Sequence, residues 1–257
     1  MVKVNYQQAK ISFTLPQYRK KIKWDKLDLE FLANKPYINT TLDIAHMGQI
    51  NAKLIVDCGA SHALSLEAYN EQVFPLPTPS FKANLGVGLG GKINGSIGRI
   101  RSLTLGKTEI TNVLTSFPDF NDVAAKTAQK QRTGNLGADI LKKFTIIYDY
   151  PDHAMYLRKN SYFREAFEHD MSGIELFVDN ERFNRVFVSR VEPESPAEKA
   201  GIQAKDEILS INFLKVGDYT LDAITKLLKS ENGKTVLIEF ERNDKIYIKL
   251  LALKRRL

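Results

Sequence analysis

Leu54-Ile-Val-Asp57-Cys-Gly-Ala-Ser61 is the stretch that decides how the first half of the chain is interpreted. An apolar run leads directly into an aspartate, and Gly59 then lets the backbone turn tightly. A carboxylate at the end of a buried strand is an uncommon place for a charge, because burial is costly unless the group has partners. The pattern therefore fits either a functional carboxylate or an ordinary aspartate in a turn after a strand.

The residues around this stretch predict a mainly β domain. Short β-rich runs separated by turn residues are typical of an all-β sandwich or barrel. The predicted strands are Lys10–Leu15, Asp28–Leu32, Tyr37–Leu42, Ile50–Val56, Ile100–Leu105, Glu109–Leu114, Thr145–Tyr150 and Ala154–Leu157. A short helix is predicted at Gly137–Phe144, and Asn121–Lys130 is predicted to be a loop with a helical turn.

The glycine-rich stretch Gly86-Val-Gly-Leu-Gly-Gly91 has the letters of a dinucleotide fingerprint. That fingerprint needs a helix after it to receive pyrophosphate, and Lys92–Gly98 is a poor helix because it contains two more glycines. A hairpin that closes over a substrate is the preferred interpretation. A flexible surface hairpin stays open as the alternative, and no cofactor and no metal site are predicted.

Three segments in the right order resemble the single-lobed, bacterial, retropepsin-like aspartic proteases: Asp57–Leu66, the glycine-rich stretch in place of a flap hairpin, and Asn135–Leu141. Together they cover most of residues 35–157. The resemblance implies a closed β-barrel lobe at residues 1–160 and an aspartic-type endopeptidase acting on polypeptides. Its catalytic residues would be Asp57, Cys58 and Gly59, and its substrate-binding residues would be Ala60, Gly86, Val87, Gly88, Leu89, Gly90 and Gly91.

The implied chemistry needs two carboxylates that share one proton and activate a water. Asp57 begins the one Asp-x-Gly motif of this kind, so the second carboxylate is expected from another copy of the chain in a homodimer. The family has Thr or Ser where this chain has Cys58, and a thiol is a poor hydrogen-bonding group. A catalytically weak or inactive peptide-binding protein therefore stays open, as does a Cys58 nucleophile with His62 as its base.

The last third of the chain has a different pattern. Predicted strands at Val186–Val191 and Glu207–Ile211 flank a short helix at Pro196–Ala200, and a helix at Leu221–Lys229 precedes two strands, Thr235–Phe240 and Lys245–Leu250. With Glu194-Ser-Pro-Ala-Glu-Lys-Ala-Gly-Ile202, this order resembles a bacterial, protease-associated PDZ domain, an α+β unit at residues 172–257 after a linker at 161–171.

A PDZ domain binds a peptide as an added strand, and the resemblance implies that backbone amides receive its C-terminal carboxylate. The residues predicted for this loop are Gly173, Ile174, Glu175 and Leu176, and the Leu221–Leu228 helix would form the opposite wall. A domain that only packs against the rest of the protein stays open.

The composition limits the remaining function classes. The net charge is +7, but the basic residues are interleaved with acids, so nucleic-acid binding is not predicted. No run approaches the roughly 20 apolar residues of a membrane helix. The start of the sequence lacks the apolar stretch of a signal peptide. A cytoplasmic protein and a periplasmic or secreted one that has lost its targeting segment both stay open.

Overall fold

The structure is a computed structural model that describes residues 1–15, 23–70, 72–88, 91–119, 132–179 and 185–257. The predicted loop Asn121–Lys130 and the two hairpin residues Leu89 and Gly90 lie outside the described residues. The chain forms two compact units, Met1–Phe167 and Glu168–Arg256, and each is described by itself. In the described ranges, no helix has the length and apolar character needed to cross a bilayer.

The first unit consists mainly of strands, with one short helix, α1 (Ala138–Leu141), and 3₁₀ turns at Tyr6–Gln8 and Ser161–Arg164. Its strands are β1 (Val2–Asn5), β2 (Lys10–Phe13), β3 (Asp25–Asp28), β4 (Glu30–Leu32), β5 (Lys35–Ile44), β6 (Gly48–Val56), β7 (Leu64–Leu66), β8 (Ser80–Gly88), β9 (Gly91–Leu105), β10 (Thr108–Pro118), β11 (Gly134–Leu136), β12 (Phe144–Asp149) and β13 (Ala154–Lys159).

These strands form two sheets. One has the order β2-β1-β12-β13-β3, and the other has the order β4-β5-β6-β11-β7-β10-β9-β8. In the second sheet β5 also pairs with β9, with Leu42 opposite Leu103, so six strands return on themselves. The mainly β character predicted for this unit is confirmed. The pairing of β5 with β9 alone does not establish the predicted retropepsin-like barrel.

The core of the first unit comes from apolar side chains that alternate along the long strands, as expected for strands with one buried face. Ile38, Leu42, Leu54 and Leu103 are fully buried within it. The sequence did not reveal β7 and β11, which are three residues long and buried throughout. Such short, wholly buried strands have no alternation to detect, and they are held by pairing with distant segments.

The second unit is a single sheet with two short helices, α2 (Pro196–Lys199) and α3 (Leu221–Leu228), and a 3₁₀ turn at Val216–Asp218. Its strands are β14 (Ile174–Val178), β15 (Val186–Val191), β16 (Glu207–Ile211), β17 (Leu214–Lys215), β18 (Thr235–Arg242) and β19 (Lys245–Ala252). The sheet order is β14-β15-β16-β18-β19, and β17 pairs with β16. The α+β unit predicted from the sequence is therefore present.

Local signals explain both helices. Ser195 caps α2 by accepting a hydrogen bond from the Glu198 amide, and Pro196 occupies the first turn, where its missing N–H has no consequence. Thr220 caps α3 in the same way through the Ala223 amide. Helix α3 buries Ile224 and Leu228 in the core of the unit, which fixes it against the sheet.

Candidate functional site

Asp57 directly follows β6, and its side chain is only partly buried. Its backbone amide donates to the Leu136 carbonyl over 3.0 Å. One carboxylate oxygen accepts from the Gly59 amide at 2.9 Å, and the other accepts from the side-chain amide of Asn135 at 3.1 Å. Two N–H donors therefore hold the carboxylate in place. The sequence pointed to the Asn135 segment but did not reveal that Asn135 is the partner of Asp57.

Two glycines let the chain segments approach each other closely beside Asp57. A Cβ at Gly137 would lie 2.0 Å from the His62 carbonyl oxygen, and a Cβ at Gly134 would lie 1.9 Å from the Ser65 carbonyl oxygen. The Gly137 amide donates to the Ala63 carbonyl at 2.9 Å. The geometry around Asp57 therefore depends on residues far apart in the sequence.

Cys58 and His62 have different surroundings. The Cys58 side chain is exposed, and it acts electrostatically on Tyr6, whose pKa is raised to about 12, first by burial and then by Cys58. Burial lowers the pKa of His62, and interactions with Asn135, Asp57 and Asp139 counteract this shift. His62 is therefore held mainly neutral near pH 7. The groups that act on the pKa of His62, besides burial, are two carboxylates and an amide.

On both sides of Leu89 and Gly90, the glycine-rich stretch belongs to β8 and β9, which pair with Gly88 opposite Gly91. Gly86 has a φ of +114° and Gly91 a φ of +110°, values that favour glycine. A hairpin rather than a nucleotide-binding turn before a helix was predicted, and the described strands agree with it. For Val87 and Gly88 the strand path is described, and substrate binding by this hairpin stays a prediction.

In the second unit, β14 is an edge strand, since the sheet order places it at one end. The amide of Asp179 donates to the Arg185 carbonyl at 3.1 Å. In an antiparallel pair, the backbone N–H and C=O groups of every second residue bond to the neighbouring strand. The backbone groups of the residues between them point away from that strand. Phe177 therefore bonds toward β15, and the backbone groups of Leu176 and Val178 point to the open edge.

Helix α3 lies in the same unit as β14, and both elements contribute partly buried apolar side chains. Leu176, Val178 and Leu227 are partly buried and pack against the core of this unit. The Met171 amide donates to the Leu228 carbonyl at 3.1 Å, so the segment before β14 is tied to the C-terminal end of α3. The surface defined by β14 and α3 is called the groove below.

The segment predicted to receive a peptide carboxylate is mostly strand. Gly173 alone stays in the loop, with a φ of +78°, because β14 begins at Ile174. Ile174 is buried, and Glu175 forms an ion pair with Arg190 at 3.0 Å. Leu176 is partly buried against the core of the unit, so the four predicted residues have four different environments.

Residues 187–242 match the family model described as "PDZ domain". The match covers most of the sheet of the second unit and both of its helices. The second unit is a PDZ domain, which confirms the resemblance drawn from the sequence for this part of the chain.

Two curated relatives share weak similarity with the chain. A "Probable CtpA-like serine protease" of Staphylococcus saprophyticus is 27% identical over 155 residues, which are 56% of this chain and 30% of the relative. A second, from Staphylococcus haemolyticus and with the same name, is 28% identical over 105 residues, or 36% of this chain and 21% of the relative. The chain thus spans less than a third of the length of either relative.

These relatives correct the predicted chemistry. Both are named as serine proteases, so the prediction of an aspartic-type peptidase of the retropepsin-like kind is wrong. A homodimer was predicted because the aspartic mechanism needs two Asp57 carboxylates. Without that mechanism, this chemical reason for a homodimer no longer applies. The roles predicted for Asp57, Cys58, Gly59 and Ala60 stay predictions.

One solved structure aligns with about half of the chain. A retropepsin-like aspartic protease from Rickettsia conorii aligns with 53% of this chain and 96% of its own, with 20% identity and a TM-score of 0.34. A likeness at that level supports no conclusion about mechanism.

Proposed function

We propose that this chain binds extended polypeptide in the groove of its PDZ domain, where the ligand adds a strand to the open edge of β14. The observation that carries the proposal is the edge position of β14, with the backbone groups of Leu176 and Val178 directed away from β15. An exposed row of N–H and C=O groups is a template for pairing with another chain.

The groove supplies specificity as well as backbone pairing. Main-chain hydrogen bonds give affinity that depends little on sequence, and pockets for alternate side chains select the ligand. Leu176, Val178 and Leu227 present apolar surface. The favoured ligand is therefore an extended segment with apolar side chains at alternate positions.

A proline substitution tests strand addition directly. Val178→Pro removes one outward amide without removing a bond to β15, and edge strands tolerate proline at such positions. We expect the dissociation constant of a labelled apolar peptide to rise about tenfold, since one or two hydrogen bonds of about 1 kcal/mol each are lost. Fluorescence anisotropy measures the dissociation constant, and circular dichroism checks the fold.

The control is Phe177→Ala, which shortens a side chain that is 46% exposed and points away from the groove residues. Binding should be unchanged in this variant. Equal binding by Val178→Pro and the unmodified protein would refute strand addition at β14.

A second candidate function is hydrolysis of the bound polypeptide, which the names of the two curated relatives favour. Release of fluorescent fragments from labelled casein, at acidic and neutral pH, measures it. Cleavage that a serine-directed inhibitor blocks and that Asp57→Asn leaves unchanged would support this candidate. A chain that binds peptide but releases no fragments would leave peptide binding as its function.

A further inference from the structure

A carboxylate of the chain itself occupies the amides at the start of β14. One oxygen of Asp170 accepts hydrogen bonds from the Ser172 amide at 3.0 Å, the Ser172 hydroxyl at 2.7 Å and the Gly173 amide at 2.6 Å. The Ile174 amide donates to the Ser172 hydroxyl oxygen at 3.1 Å. Three successive backbone N–H groups therefore already have acceptors.

These amides belong to the loop that the sequence predicted for a peptide's terminal carboxylate. Each backbone N–H is a single donor, so an incoming carboxylate would have to displace Asp170 or the Ser172 hydroxyl. An ionised Asp170 would also repel the incoming carboxylate, because like charges at close range repel. Binding a free C-terminus here would thus replace the hydrogen bonds to Asp170 with hydrogen bonds to the peptide carboxylate. It would also add repulsion between the two carboxyl groups.

The surrounding residues keep the loop in this arrangement. A Cβ at Gly173 would lie 2.2 Å from the Ser195 Cβ, so the loop is packed tightly against the start of α2. The Gly173 carbonyl accepts from the Glu192 amide at 2.9 Å. The nearby cations have acidic partners as well: Arg190 pairs with Glu175, and Arg256 pairs with Glu192.

We propose that Asp170 stands in for a peptide's terminal carboxylate, so that the groove takes internal segments of extended polypeptide and does not require a free C-terminus. This inference rests on the proposed peptide binding and specifies its ligand. Burial raises the pKa of Asp170, against the opposing effect of its bonds to Ser172 and Gly173, which agrees with a carboxylate withdrawn from water into the loop.

The test uses two labelled peptides of the same apolar sequence, one with a free C-terminal carboxylate and one with an amidated C-terminus. The unmodified chain should bind both with dissociation constants within about twofold of each other. Asp170→Ala leaves the amides open, so it should bind the free acid about tenfold more tightly than the amide, as charge-assisted bonds form.

Two further variants separate the effect of the Asp170 charge from the effect of an oxygen that occupies the amides. Asp170→Asn keeps an oxygen that can accept hydrogen bonds from the amides. This variant should therefore bind the free acid and the amidated peptide with similar dissociation constants. Asp244→Asn removes a charge in the turn between β18 and β19, at the opposite end of the sheet from β14, and should behave like the unmodified chain.

The outcomes also distinguish this inference from the proposed function. If the unmodified chain binds the free acid about tenfold more tightly than the amide, the inference is overturned while peptide binding stands. If neither peptide binds, both fail. Should Asp170→Ala not fold, the comparison of acid and amide on the unmodified chain still decides the question.

Discussion

The two units each contain an aspartate whose carboxylate accepts the backbone amide of the residue two positions later. Asp57 accepts from Gly59 at 2.9 Å, and Asp170 accepts from Ser172 at 3.0 Å. Their further partners differ, because Asn135 from a distant strand holds Asp57, whereas the adjoining Gly173 amide holds Asp170.

This difference shows how little a local motif says about the role of a carboxylate. The segment around Asp57 looks like a catalytic signature, yet the relatives exclude the chemistry it suggests. Asp170 belongs to no signature, yet its carboxylate accepts the amides at the start of β14. Short side-chain-to-backbone bonds of this kind are common at turns, so the surroundings decide what the carboxylate does.

The largest expected effects come from a buried ion pair in each unit. Arg132 binds Glu67 in the first unit through two hydrogen bonds of 2.7 Å, and Arg242 binds Asp206 in the second through two of 2.6 Å. Arg242→Met leaves a carboxylate that is 1% exposed, and should lower the free energy of unfolding by about 3 kcal/mol. Denaturant titration of the isolated chain measures it.

The matched variant Arg132→Met should lower the free energy of unfolding of the first unit by a similar amount. It removes the arginine partner of Glu67, whose side chain is 8% exposed. Adding Asp206→Asn to Arg242→Met removes the uncompensated charge and should recover most of the loss. An Arg242→Met protein as stable as the unmodified one would show that Asp206 is not held as described.

A smaller effect is expected where the segments beside Asp57 meet. Gly137→Ala places a Cβ 2.0 Å from a carbonyl oxygen and should cost about 2 kcal/mol of stability through overpacking. Its control is Gly48→Ala, which has open space but a φ of +68° and should cost about 1 kcal/mol. Thermal unfolding compares the two, and the reverse ranking would contradict the close approach.

The smallest expected effects are pH dependences of opposite sign. His62 has a lowered pKa, so the unfolded chain binds its proton more readily, and stability should fall as the pH drops below 6.5. Asp170 has a raised pKa, so its contribution to stability is fully present below pH 3.8 and is lost as the pH rises from there through the raised pKa of the folded chain.

Two substitutions test the signs of these pH effects. His62→Gln should remove the first dependence and Asp170→Asn the second, as measured by unfolding at several pH values. Unchanged pH profiles in both variants would mean that neither group titrates differently in the folded state.

The sequence predicted best where a short β-rich run decides the structure. The strands Val186–Val191 and Glu207–Ile211 have the predicted bounds, because each is a short run rich in apolar residues between turn residues. The interaction of Asp57 with Asn135 could not be predicted in this way, since it joins strands far apart in the chain. Asp170 did carry a local signal, a serine two residues later, but such a pattern is too common to indicate a binding site.

Hydrogen exchange at the Leu176 and Val178 amides tests the central claim most directly, because these two groups point to the open edge of β14. Strand addition predicts that both amides exchange quickly in the free chain and become strongly protected when an amidated apolar peptide saturates it. Unchanged exchange at both amides with the peptide bound would contradict the account, because the ligand would then lie elsewhere on the molecule.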